Sequence, residues 1–190
     1  SRRYNDSEVS RMALYNLLAE NPNNAGLRDS LALIYFESQM YASAALVAQE
    51  VANFVPDDML ATEIAAISFE NLGFKNKAFK FYERLYLNNT DDIGRLYKMG
   101  FLQMDLKLFE EALSSAELLT NHKLAEGTAL VFPTEKSEGQ EVNMKLSALR
   151  LKAMIEVARG NKEVAKEYYQ NILKVKPDFE LAKKELAALN

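Results

Sequence analysis

Apolar residues recur along this chain with the period of a helix, and the helices they predict come in pairs. Residues 7–20 carry Val9, Met12, Ala13, Tyr15, Leu17 and Leu18 at helical spacing, and Asp6 is placed to cap that helix. Pro22 follows. From Ala25 the pattern divides into blocks 25–58, 59–92 and 93–126, with a further block at 146–179. Each block predicts two helices. Turns are expected at Ser38–Gln39, Leu72–Gly73, Leu106–Lys107 and Arg159–Gly160. Gly73 and Gly160 suit the left-handed conformation found at a helix C-terminus. Asp57, Asp91 and Asp178 stand at the starts of first helices, where a carboxylate caps the helix or faces its positive dipole end. Residues 179–189 predict a last helix, with Leu181, Ala182, Leu186 and Leu189 on one side and Lys183, Lys184 and Glu185 toward water.

Fixed places within the blocks hold fixed kinds of residue. The eighth holds Ala32, Ala66, Gly100 and Ala153, and the twentieth holds Ala44, Ala78, Ala112 and Ala165. The twenty-fourth holds Ala48, Tyr82, Ala116 and Tyr169, and the twenty-seventh Val51, Leu85, Leu119 and Ile172. Small residues at two fixed places mean that two helices approach closely inside each block. One such block cannot bury its own apolar face, so blocks must stack. This 34-residue pattern resembles the tetratricopeptide repeat (TPR) family, over nearly the whole chain. The resemblance implies an all-α fold, a right-handed superhelical solenoid of helix–turn–helix repeats. The expected organisation is one domain, 1–190. Residues 1–24 form an N-terminal half-repeat, 25–58, 59–92, 93–126 and 146–179 the repeats, and 180–190 a capping helix. The stretches of Tyr35, Phe69, Tyr82 and Tyr169 read as stacked core.

The register breaks once, at 127–145. Thr128–Phe132 is apolar and β-prone, Pro133 stops it, Glu135–Gly139 is polar and turn-like, and Glu141–Lys145 alternates Val142 with Met144. An inserted β-hairpin is expected there. Leu130, Phe132, Val142 and Met144 cannot all be hidden by a two-stranded ribbon, so part of it should pack on neighbouring helices.

Composition narrows the chemistry. Of 190 residues 48% are hydrophobic, which is not the composition of a disordered chain. The net charge is -4 with no long Lys/Arg block, which argues against nucleic acid as a partner. No apolar run reaches the length of a membrane span. There is no Cys, so disulfides, thiolate catalysis and Cys-ligated metals are excluded. His122 is the single histidine and lies near a helix end, where it reads as a cation or donor at the C-terminus. No phosphate-cradling glycine loop, nucleophile elbow or paired-histidine metal motif occurs. No catalytic residue, cofactor or metal site is therefore expected, and the chain reads as no enzyme. The lack of Cys and the start at Ser1 lean toward a periplasmic or secreted setting, with a cytoplasmic one as the alternative.

The resemblance also implies that first helices line a concave channel, faced by the second, fifth, ninth, twelfth and thirteenth places. Carried onto this sequence, the ninth place is large and apolar in all four blocks: Leu33, Ile67, Phe101 and Met154. Phe36, Tyr97 and Met104 widen that stripe. The charged places are mostly acidic, with Asp29, Glu37, Glu63, Glu70 and Asp105 against Arg150. Some members of the family clamp a C-terminal carboxylate with Lys, Arg and Asn. Here Asp29 and Leu33 stand where a base and an amide would be needed, so that clamp is not expected. The expected binding residues are Leu33, Phe36, Glu63, Ile67, Glu70, Tyr97, Phe101, Met104 and Met154. An apolar floor with an acidic rim calls for a hydrophobic or basic segment. The function expected is a protein-interaction scaffold with a protein or peptide partner, without direct membrane insertion, and with a homo-oligomer as an open alternative. An assembly module of a larger envelope or secretion protein, or an accessory domain of an enzyme, remain the other readings.

Overall fold

The computed structural model describes residues 2–135 and 139–189, with side chains from Ser7 onward. The chain forms two compact units, Ser1–Asn88 and Asn89–Asn190. The first holds α1 (Arg2–Glu20), α2 (Ala25–Glu37), α3 (Tyr41–Phe54), α4 (Met59–Asn71) and α5 (Lys75–Asn88). The second holds α6 (Ile93–Asp105), α7 (Phe109–Asn121), β1 (Ala129–Phe132), β2 (Gln140–Asn143), α8 (Met144–Arg159), α9 (Lys162–Val175) and α10 (Glu180–Ala187). Each of the four blocks thus contributes one helix pair. No helix among the described residues is long and apolar enough to cross a membrane.

The pairs close on small residues. Ala32 and Ala44, Ala66 and Ala78, Ala112, and Ala153 and Ala165 are all fully shut from solvent. At Gly100 an added Cβ would stand 2.6 Å from Leu151 Cδ2, so α8 uses the space that a side chain on α6 would need. Between the small residues sit the larger ones that fill the core. Val51, Leu85, Leu119 and Ile172 are at most 1% exposed, and each contributes about 1.5–3 kcal/mol by burial. Tyr35, Phe69, Tyr82 and Tyr169 are buried as well. In the first unit Phe69 stacks on Phe81, with ring centroids 5.8 Å apart.

The turn inside every pair has one geometry. Its fifteenth place is left-handed in all four blocks: Gln39 (φ 58°), Gly73 (φ 77°), Lys107 (φ 63°) and Gly160 (φ 88°). The following amide reaches back to the eleventh-place carbonyl, as in Met40 N to Tyr35 O at 2.8 Å, Phe74 to Phe69, Leu108 to Gln103, and Asn161 to Glu156. The fifteenth amide bonds the twelfth carbonyl in each case, at 2.9–3.0 Å. This is the six-to-one, five-to-two arrangement that ends a helix and satisfies its last carbonyls.

The caps at the starts of first helices lie one residue later than expected. Asp58 and Asp92, not Asp57 and Asp91, accept the backbone N–H of Ala61 and Arg95. Asn24 and Asn143 do the same for α2 and α8. Asp178 is not a cap either: Phe179 holds that place, while Asp178 accepts from the Gln140 amide. Asp57 precedes the cap, and Asp91 accepts from Lys123. The first helix begins at Arg2 and so runs through Asp6, whose side chain lies outside the described residues.

The insertion is a hairpin, shifted from its expected second strand. β1 pairs antiparallel with β2, setting Leu130 opposite Val142 and Phe132 opposite Gln140. Met144 and Lys145 belong to α8, because Asn143 caps that helix and draws its start forward. Residues 136–138 of the connecting loop lie outside the described residues. One face of the ribbon packs on the second unit. Phe132 and Val142 join Leu146, Tyr169, Ile172 and Phe179 in one core, with Phe132 and Phe179 centroids 5.4 Å apart. The Gln140 side chain ties β2 to the start of α10, donating to Asp178 O and accepting from Glu180 N–H.

Two substitutions test these contacts. Ala78→Leu forces an isobutyl group into a closed helix contact and should cost about 1–3 kcal/mol. An unchanged urea midpoint would show that the α4–α5 contact is not close. At the turns, Lys107→Gly relieves a left-handed side chain and should add up to about 1 kcal/mol, whereas Gly160→Ala should remove about 1 kcal/mol. Opposite signs for the two are the diagnostic result, read from denaturation midpoints.

Candidate functional site

The nine residues expected to bind a partner share one property: each is half-buried. None is core, and none stands free in water. In the first unit, α2 presents Leu33 and Phe36, and the neighbouring α4 presents Glu63, Ile67 and Glu70. Leu33 and Ile67 hold the same repeat place on adjacent helices. Phe36 meets Tyr41 edge to face at 6.0 Å, so its ring is already oriented by α3. Glu70 is engaged as well: its Oε2 accepts the Tyr82 hydroxyl proton at 2.6 Å.

The second unit brings its residues closer together. Tyr97 and Phe101 lie edge to face, centroids 4.9 Å apart, one helical turn from each other on α6. With Met104 they pack on Ala112, Ala116, Leu151 and Ile155. Met154 follows on α8, next to Ile155. Burial pushes the Tyr97 phenol up to about 12, against the opposing influence of the Arg150 guanidinium.

Arg150 departs from its expected role. The sequence makes it the one base among the acids of the channel. In the structure it is buried, and its Nε and Nη2 both donate to the Glu185 carboxylate of α10. Glu185 therefore does not face water with Lys183 and Lys184. The Arg150 guanidinium also lies over the Phe132 ring, 5.4 Å from its centroid. Burial works to lower its pKa, yet the Glu185 carboxylate outweighs this and holds it above the usual value. A buried pair of this kind is costly to break from one side, because the remaining charge is left without a partner. Sequence reading missed the pairing because Arg150 and Glu185 are 35 residues apart. A spacing of about one repeat was the available signal.

Asp29 gives a second missed interaction. Burial first, and then the nearby Asp58 carboxylate, push it up to about 6. Asp58 is itself committed to capping α4. His122 ends α7, where its backbone N–H donates to Leu119 O at 3.3 Å. It is the helix cap, its Nδ1 accepting from Leu124 N–H at 3.2 Å and its Nε2 lying 3.6 Å from Asp91. Among the described residues no three His, Asp or Glu side chains converge on a metal-sized site. A pocket of about 310 Å³ lies between the ends of α2 and α3, lined by Asn23, Ala25, Arg28, Val51, Phe54 and Val55.

These features define the class. The fold is that of the tetratricopeptide repeat, and it matches solved structures over nearly its whole length. A tetratricopeptide repeat protein from Parabacteroides merdae is 18% identical, with a TM-score of 0.65 over 98% of this chain and 67% of that one. YrrB, a TPR protein with an unusual peptide-binding site, is 15% identical, with a TM-score of 0.71 over 97% of this chain and 85% of its own. MamA is 16% identical, with a TM-score of 0.66 over 94% and 89%. No family model matches the sequence, and no curated protein matches it either. At these identities the likeness is one of fold; side chains at the binding places are this chain's own.

The Asp29 carboxyl predicts a pH effect. Between about pH 4 and 6 the folded chain retains a proton that the unfolded chain has lost. Its contribution to stability therefore falls as pH rises through that window. Asp29→Asn removes the titration, so the variant should gain stability relative to the parent from about pH 4 to pH 7. Urea midpoints measured at both values check this, and a constant difference would show that Asp29 ionises normally.

Proposed function

We propose that this protein is a non-enzymatic interaction module. The first helices of each unit present a face to a segment of another protein. That segment is apolar and flanked by Lys or Arg. Leu33, Phe36, Ile67, Tyr97, Phe101, Met104 and Met154 supply the apolar contacts. Glu63 and Glu70 supply negative charge beside them.

The observation that carries the reading is the half-burial of all nine residues. Core packing would have closed them; an idle surface would not repeat large apolar groups at one place of four blocks. Side chains oriented by their neighbours yet still open to a ligand lose little entropy on binding. Tyr97 and Phe101, packed edge to face with centroids 4.9 Å apart, form an aromatic anchor on α6. The tetratricopeptide fold is compatible with peptide recognition, as in YrrB. Acidic side chains near the apolar places favour a basic partner and make association sensitive to salt.

Binding of synthetic amphipathic peptides with a Leu/Phe core, flanked either by Lys or by Glu, tests the proposal. The Lys-flanked set should bind more tightly and weaken as salt is raised. Phe101→Ala should cost about 2 kcal/mol, a loss of roughly 30-fold in affinity. Ile67→Ala should act in the same direction, while Leu118→Ala, on the exposed side of α7, should not. If neither Phe101→Ala nor Ile67→Ala changes binding, the residues are ordinary packing and the groove reading is wrong.

A further inference from the structure

The inserted hairpin leaves one of its edges open. Met144 N–H donates to Thr128 O at 2.7 Å, and the register sets Leu130 opposite Val142 and Phe132 opposite Gln140. Bonded and non-bonded pairs alternate along an antiparallel ladder. Thr128–Met144 belongs to the bonded set, so Leu130–Val142 and Phe132–Gln140 do too. The N–H and C=O of Ala129 and Val131 therefore point away from β2. Among the described residues they have no hydrogen-bond partner, and no third strand pairs along that edge.

The two edges differ. On β2 the outward groups are those of Glu141 and Asn143. Glu141 is exposed and charged, and Asn143 O accepts the Ser147 hydroxyl proton. Charge and local bonding of this kind keep a strand edge from pairing with another chain. β1 has neither. Ala129–Phe132 carries no charged residue, no proline and no bulge. Val131 is 68% exposed, and Leu130, on the face that meets the helices, is only half-buried.

We propose that β1 pairs antiparallel with β1 of a second copy, giving a four-stranded sheet across a two-fold axis at Leu130. The occupant follows from where the free groups lie. With Leu130 at the axis, Ala129 faces Val131 of the partner subunit, and Val131 faces Ala129 of the partner subunit. Every free N–H then meets a free C=O, in two reciprocal pairs. The Leu130 residues of the two copies become a non-bonded pair, with Cα atoms about 4.5 Å apart, and cover each other's open side. Charge permits this register. Continued beyond the strand it directs Glu126 toward Thr134 and Glu135 toward Ala125, so no acid is set against an acid. The contact is isologous and closes at the dimer. It makes no use of the proposed groove.

Sedimentation equilibrium of the 190-residue chain tests this. Two residue pairs make a contact well below the size of a stable interface, so dimers should form at on the order of 0.1–1 mM. The weight-average mass should rise from 21.5 kDa toward twice that value and no further. Val131→Pro removes an outward N–H while leaving the bonds to Val142 and Gln140, and should hold the chain at monomer mass. Val131→Lys covers the case in which proline disturbs the hairpin. It alters an exposed side chain, keeps the N–H and sets two cations diagonally across the axis. It should weaken association several-fold, with recovery at high salt. Phe101→Ala should leave the dimer unaltered. Amide exchange gives a second readout. The Ala129 and Val131 amides should exchange rapidly in dilute solution and slow as the dimer forms, while Leu130 and Phe132 stay protected throughout. Monomer mass at every concentration, as expected if the edge receives a strand of another protein instead, would overturn the proposal. So would association that survives both Val131 variants, or that leaves the Ala129 and Val131 amides in rapid exchange.

Discussion

Close approach of two helices within a pair is the constraint on which the rest of this structure depends. It requires small residues at the eighth and twentieth places, because any larger group would hold the backbones apart. Once the backbones are close, the twenty-seventh-place residue is enclosed and the core becomes continuous from pair to pair within a unit. The turn has to cooperate. A left-handed fifteenth residue and the two hydrogen bonds around it reverse the chain in the fewest residues, and all four blocks use them. Glycine does this without cost at two of those places. Gln39 and Lys107 accept local strain because the pair they join is fixed by packing on either side.

The insertion obeys the same economy of burial. A four-residue strand pair has too little surface to be stable alone. Here one face is completed by Tyr169, Ile172 and Phe179, and Arg150 roofs the Phe132 ring. The hairpin thereby fastens the start of α10 through Gln140. Val131 stays outside this core and is exposed. The ribbon is part of the second unit's core rather than an appendage.

Charge on the first-helix faces is arranged more specifically than composition implies. Glu70 holds a tyrosine, Asp58 caps a helix while raising the Asp29 pKa, and Arg150 is neutralised by Glu185. Under the proposed function, the half-buried apolar groups beside these acids would receive a basic, amphipathic segment.

The helix pairs, their small-residue contacts, the turn positions and the inserted hairpin were all legible in the sequence, because each depends on residues near in the chain or repeated at one period. Ala78 and Gly160 declare their roles wherever they occur. The caps were misplaced by a residue, since Asp57 and Asp58 are chemically alike and only backbone conformation selects the one that bonds. The start of α8 moved for the same reason, with Asn143 outcompeting strand extension through Met144. Pairings across the fold were not legible. Arg150 reads as an open base until α10 is laid beside it, and Asp29 as an ordinary carboxylate until Asp58 comes near. Periodicity determines which face of a helix is apolar; only the packed structure decides which charges meet, how much water each retains, and which apolar places are left open.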